Sequence, residues 1–252
     1  MKGIVYLVGA GPGDPKLITL RGKECIEAAD VIVYDRLANE ELLQYAKQDA
    51  QYIYCGKLPK SHTLRQEQIN ELLGQKAMEG LVVTRLKGGD PCVFGRVGEE
   101  ASHLAKLGVK FEVIPGITAG IAAPAYAGIP VTHREHGSSF AMVTGHLKEN
   151  DFSEQKWQAF ATGIDTIAFY MGMKNLPRIC EKLISHGRPN ETPVAVIEWG
   201  TTCEQRTVTG TLQTIVKETT KQRISHPAII LVGEVVNVRK QMNWFEAEFV
   251  KN

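Results

Sequence analysis

The sequence predicts an α/β protein made of two domains. Apolar runs of strand length alternate with helix-length amphipathic segments through the first half. Glycine loops follow two of those runs, at Gly9-Ala10-Gly11-Pro12-Gly13 and at Lys87-Gly88-Gly89-Asp90. The rhythm then weakens at Thr132-His133-Arg134-Glu135-His136-Gly137-Ser138, which sets the expected domains at residues 1–135 and 136–252.

Each element has its own warrant. Residues 4–8, Ile-Val-Tyr-Leu-Val, form an unbroken apolar run of the kind a buried parallel strand needs. A helix follows over 16–28, with Leu17, Leu20 and Ile26 on its apolar side. Residues 31–34 make the second strand, ending at Asp35. A short helix at 40–46 and a third strand at 51–55 come next. Residues 64–79 read as a helix because Ile69, Leu72, Leu73 and Ala77 share one face. The fourth strand is 81–86, followed by a helix at 98–107 and a fifth strand at 110–114. Beyond the boundary, strands are expected at 139–144, 165–171, 193–198 and 227–232, and helices at 176–185 and 212–221. Residues 200–210 alternate Thr with polar residues, as an antiparallel strand or hairpin does. The second sheet is therefore mixed.

Composition excludes several classes. Lys plus Arg (29) nearly cancels Asp plus Glu (28), so no general field draws in nucleic acid or a membrane surface. The five cysteines are widely spaced without a CxxC pair, which fits reduced thiols in a cytoplasmic protein better than a disulfide framework. Nothing at the N-terminus reads as a signal peptide. His62 and His133 lack paired ligand spacing, so no metal is expected.

The first glycine loop resembles a dinucleotide fingerprint, and Asp35 even lies where an acidic residue would hold a ribose. The details argue against it. Asp14 stands where the third glycine belongs, Pro12 and Pro15 have no N–H for a pyrophosphate, and the Asp14 carboxylate would repel one. A tight turn with Asp14 capping the next helix is a purely structural alternative. A cationic or neutral ligand suits the loop better, and S-adenosylmethionine, with a sulfonium and no phosphate, is one.

Six motifs in order then resemble the tetrapyrrole methylases over residues 4–235. They are Val8-Gly9-Ala10-Gly11-Pro12-Gly13-Asp14-Pro15, Val33-Tyr34-Asp35-Arg36-Leu37, Lys87-Gly88-Gly89-Asp90-Pro91, Phe94-Gly95-Arg96, Pro115-Gly116-Ile117-Thr118-Ala119 and Gly128-Ile129-Pro130-Val131-Thr132-His133-Arg134. Cys55-Gly56-Lys57, His62 and Gln66-Glu67-Gln68-Ile69-Asn70 are similar to the members that methylate C2 and C7 of uroporphyrinogen III to give precorrin-2, for sirohaem or cobalamin synthesis. A sister enzyme acting on a later precorrin or cobalt-precorrin is the alternative. Cys92 and Val97 depart from the family's usual residues.

The resemblance implies two α/β domains with the active-site cleft between them, a homodimer, and S-adenosylmethionine as methyl donor. It implies cofactor contacts from Pro12, Gly88, Gly89, Asp90, Val93, Thr118, Ala119, Met171 and Gly200, with Asp35 as proton acceptor and Lys57 as proton donor. The chemistry is consistent with that. Methylation at a substituted pyrrole carbon leaves a cationic intermediate that relaxes by losing a proton, and a carboxylate at a strand end can stabilise the cation and take the proton. Asp35 could equally be a helix cap or ion-pair partner, and Lys57 could bind a substrate carboxylate. Eight substrate carboxylates call for cations, and Arg36, Arg85, Lys87, Arg96, His133 and Arg134 sit at or beside the motifs.

Overall fold

The computed structural model describes residues 2–56, 64–146 and 152–246. The chain divides into two compact units, Met1–Thr118 and Ala119–Asn252.

In the first unit, β1 (Ile4–Gly9), β2 (Val31–Tyr34), β3 (Gln51–Tyr54), β4 (Val82–Lys87) and β5 (Lys110–Ile114) form one sheet. Its order is β3-β2-β4-β1-β5, and every pairing is parallel. Helix α1 (Leu20–Ala28) is capped by Thr19, whose hydroxyl accepts from Gly22 N. It covers one face together with the 3-10 turn Glu40–Tyr45, burying Cys25, Ile26 and Leu42 against Val8, Ile32 and Leu86. Helices α2 (Gln66–Met78) and α3 (Val97–Lys106) cover the other, burying Ile69, Leu73 and Leu104 against Val5, Leu7, Val33 and Val83. From the neighbours β1 and β4, the chain leaves in opposite directions, toward β2 and toward β5. That is a topological switch point, where the loops beyond the carboxyl ends open a ligand crevice.

The second unit holds α4 (Ala119–Tyr126), β6 (Phe140–Thr144), α5 (Glu154–Gly163), β7 (Thr166–Tyr170), α6 (Leu176–Ser185), β8 (Pro193–Glu198), β9 (Arg206–Thr211), α7 (Ile215–Lys221) and β10 (Ala228–Val232). Its sheet runs β6-β7-β10-β8-β9; only β6 and β7 pair in parallel. The expected mixed sheet is there, and the segment 200–210, expected as an antiparallel strand or hairpin, supplies most of β9, which pairs antiparallel with β8. Helices α5, α6 and α7 bury Trp157, Ile179, Leu183 and Ile215 on one face. Helix α4 packs Ala123 on the other, with Ala127 just past its end, against Ala168, Ile197 and Leu231.

The compact units part at 118/119, ahead of the expected 135/136, because α4 packs on the second sheet. Helices α4 and α5 were not anticipated. Among the described residues, no helix is long and apolar enough to cross a membrane.

Candidate active site

The carboxyl edge of the first sheet gathers four of the sequence motifs. Gly11 N donates to Gly89 O (3.2 Å) and Gly89 N to Gly11 O (2.6 Å), a two-way bridge between the β1 and β4 loops. Ala10 N donates to Lys87 O (2.8 Å). The β5 loop closes against both: a Cβ on Gly9 would lie 2.6 Å from Gly116 Cα, and one on Gly116 would strike the Gly89 carbonyl. Only glycine permits this approach. The Asp90 carboxylate then ties the β4 loop to the β5 loop, accepting from Cys92 N (2.7 Å) and Gly116 N (2.9 Å). Val93 joins the same turn through its N–H to Asp90 O (3.2 Å). Gly88 lies against Leu37, bringing the Asp35 loop alongside. Asp14 caps the short 3-10 turn Pro15–Leu17 by accepting from Lys16 N, whereas the helix expected from residue 16 begins at Leu20 and is capped by Thr19.

This geometry tests the ligand class. The Gly11 and Gly89 amides are spent on each other, the Ala10 amide is spent on Lys87, and Pro12 has none. A pyrophosphate needs such donors free at a helix start. A cofactor with a cationic sulfonium and no phosphate fits the loops as they stand.

Beneath the edge lies a buried ionic network. Asp35 Oδ1 accepts from Leu37 N (3.0 Å), and Oδ2 from Arg85 Nη2 (2.9 Å). Arg85 is buried and also donates from Nη1 to Leu86 O (2.7 Å). Lys87 Nζ binds Glu100 Oε1 (2.8 Å), which also accepts from Gln66 Nε2 (3.2 Å) and lies 3.6 Å from Arg85 Nε. Glu100 is 0 % exposed. Burial pushes the Lys87 ammonium below its ordinary range, with Arg85 adding to the effect. Burial pulls on Arg85 too, but Asp35, Cys55 and Glu100 outweigh it and hold the guanidinium charged. Arg85 and Lys87 are therefore internal ion-pair members, a correction to their reading as cations of the substrate surface. Glu100 was not singled out from the sequence, although its place one helical turn before the core residue Leu104 put it on the buried face of α3.

In the second unit, three predicted cofactor residues meet around α4. Ala119 begins the helix, Gly200 follows β8 and lies against Ala123, and Met171 follows β7, whose Tyr170 bonds to α4. Met171 is 57 % exposed, so its side chain is open to a ligand. Among the described residues, six non-glycines hold φ between 47° and 71°, and five of them, Phe94, Arg96, Met171, Trp199 and Thr201, lie in the strand-end loops named here. Backbone strain of this kind gathers at functional sites. Thr118 is buried at the end of the first unit.

Of the substrate-binding candidates, Arg36 is exposed beside Asp35. Arg96 is exposed, with Nε and Nη2 each 2.7 Å from Glu99. His133 and Arg134 sit on a turn closed by the two-way His133–Gly137 backbone bridge. That turn also gathers His133, Glu135 and His136, with possible ligand atoms within 4.8 Å of one another. The two rings stack at 4.7 Å and His133 Nδ1 accepts from Glu135 N, an arrangement that uses one imidazole nitrogen within the turn. Lys57 and His62 lie outside the described residues.

A parallel sheet with glycine loops at its switch point, in a chain that also carries a mixed sheet with strained strand-end loops, defines an α/β protein built to bind a small ligand. The tetrapyrrole (corrin/porphyrin) methylase family matches residues 4–216, and the chain belongs to that family. It is 61 % identical to uroporphyrinogen-III C-methyltransferase of Priestia megaterium, over 93 % of this chain and 99 % of that one. Among solved structures it resembles uroporphyrin-III C-methyltransferase from Thermus thermophilus complexed with S-adenyl homocysteine, with TM-score 0.79, 38 % identity, and 94 % and 100 % of the two chains covered. It also resembles a cobalt precorrin-4 methyltransferase, with TM-score 0.83, 26 % identity, and 92 % and 95 % covered.

Proposed function

We infer that this chain catalyses the S-adenosylmethionine-dependent C-methylation of uroporphyrinogen III at C2 and C7, giving precorrin-2 for sirohaem or cobalamin synthesis. The observation that carries this reading is the 61 % identity, over almost the whole length of both chains, to an enzyme of that name. The fold alone does not select it, since the cobalt precorrin-4 enzyme shares the architecture at 26 % identity.

The cofactor supplies a methyl group already activated by its sulfonium. Pro12, Gly88, Gly89, Asp90, Val93, Thr118, Ala119, Met171 and Gly200 would hold it. The chain's own task is to align the electron-rich pyrrole carbon for attack, where orientation supplies most of the rate. Asp35 would stabilise the cationic ring and accept the proton that leaves it. Its Oδ2 is held by Arg85 and its Oδ1 by the Leu37 amide, so the carboxylate is fixed before substrate arrives. Lys57 is assigned proton donation or the binding of a substrate carboxylate. Arg36, Arg96, His133 and Arg134 are assigned to substrate carboxylates, with Arg96 released from Glu99 on binding. Five free thiols suit a reducing, cytoplasmic setting. The homodimer expected of the family is tested by sedimentation equilibrium.

The deciding experiment incubates the chain with uroporphyrinogen III and methyl-labelled S-adenosylmethionine, then weighs the product. Two labelled methyl groups on uroporphyrinogen III, at C2 and C7 by NMR, are expected. Labelling only of a later precorrin or cobalt-precorrin would establish the alternative substrate.

A further inference from the structure

Tyr170 stands where three segments of the second unit meet. It is the last residue of β7, and the next residue is Met171, with φ 55°. Its backbone carbonyl accepts from Gly145 N (2.6 Å), fixing the loop after β6. Its hydroxyl accepts from Gly120 N (2.6 Å), in the first turn of α4, and donates to Met142 Sδ at 3.6 Å. The four leading amides of a helix have no partner within it, so this hydroxyl satisfies one that would otherwise be orphaned. Gly120 is itself buried, and a Cβ there would run into the Tyr170 ring and hydroxyl. The approach is thus close on both sides: a glycine that leaves room, and a phenol that fills it.

We propose that Tyr170 is a positioning residue that sets the start of α4 against the end of β7, and so fixes the spacing of Ala119 and Met171 for the cofactor. This rests on the proposed function, because those two residues are the cofactor contacts assigned there. The hydroxyl need not touch the ligand. It holds the Ala119-Gly120 backbone against the end of β7, where the next residue, Met171, is held in left-handed geometry. Preorganisation of this kind acts on affinity, since a loosened site must be ordered at the moment of binding.

The test measures S-adenosylhomocysteine binding to the full chain by calorimetry, with steady-state kinetics in parallel. In Tyr170→Phe the ring stays and the hydroxyl goes. Expected are a Kd weaker by about 10-fold, the scale of one lost hydrogen bond with its amide left unpaired, a parallel rise in KM for S-adenosylmethionine, and kcat at saturation within about 3-fold of wild type. Met142→Leu removes a second hydroxyl partner while leaving Gly120 paired, and should keep Kd within about 2-fold. Tyr170→Phe binding as tightly as wild type overturns the proposal. So does an equal loss in Met142→Leu, or a fall in kcat with KM unchanged. Wild-type chain that fails to bind S-adenosylhomocysteine overturns the proposed function instead, a result distinct from all of these.

Discussion

Replacing Glu100 by Gln should reveal what the buried network beneath Asp35 contributes. The two side chains have nearly the same shape, so packing is kept and only charge is lost. Glu100 is fully buried, and its Oε1 receives Lys87 at 2.8 Å, Gln66 at 3.2 Å and the approach of Arg85 Nε at 3.6 Å. In the variant, two buried cations face the single carboxylate of Asp35. Removing one partner of a buried pair costs about 3–5 kcal/mol, whereas weakening one ordinary hydrogen bond costs about 1 kcal/mol. At about 2–4 °C per kcal/mol for a chain of this size, the melting temperature should fall by about 6–20 °C. The pH dependence carries the sign. Lys87 is already depressed by burial and, without Glu100, drops further below its unfolded value of about 10.4. The penalty is complete below the folded pKa, where both states are protonated. It disappears as pH rises from the folded toward the unfolded pKa, because there the unfolded chain binds more protons. Urea unfolding at pH 7 and pH 10 should therefore show the variant's deficit shrinking at the higher pH. Adding Lys87→Met to the variant should restore neutrality and recover much of the loss. A deficit under about 1 kcal/mol that does not change with pH would refute the reasoning.

Other outcomes follow from the same geometry. Asp35→Asn should lower kcat by about 10²–10⁴, the usual weight of a general base, with S-adenosylhomocysteine affinity within about 3-fold; turnover equal to wild type would remove Asp35 from the mechanism. Gly89 holds φ 70° in the two-way bridge with Gly11, so Gly89→Val should abolish cofactor binding in a calorimetric titration. Asp30 is bound by Lys47 Nζ (2.7 Å) and Val82 N (2.8 Å), which hold its carboxyl below the usual range. Its contribution is present above the unfolded pKa of about 3.9 and lost as pH falls through the lower folded value. Asp30→Asn should lower the melting temperature at pH 7 by more than at pH 2.5.

The first sheet was legible because β1 and β2 are continuous apolar runs and the loops after β1 and β4 carry glycine. The strand-end placement of Asp35 followed from that pattern alone. Helix α4 was not legible. Its sequence, Ala-Gly-Ile-Ala-Ala-Pro-Ala-Tyr, has no polar face to set a period, and Pro124 stands inside it. Missing it displaced the domain boundary. Helix α5 does carry a sequence signal: Ser153 as cap, with Trp157 and Ala161 four residues apart on the buried side. Arg85 and Lys87 were read as surface cations because a sequence shows charge at a strand end but not what lies opposite. Only the packing of α3 brings Glu100 to face them.

The paired glycine amides have a consequence for discrimination. ATP and the nicotinamide dinucleotides carry the same adenosine group as the methyl donor, and enzymes that hold them do so largely through the phosphates. Loops whose Ala10, Gly11 and Gly89 amides are already paired give those phosphates little grip, and the neighbouring carboxylates oppose them. Abundant nucleotides are thereby kept from crowding out a scarcer ligand that shares their adenine.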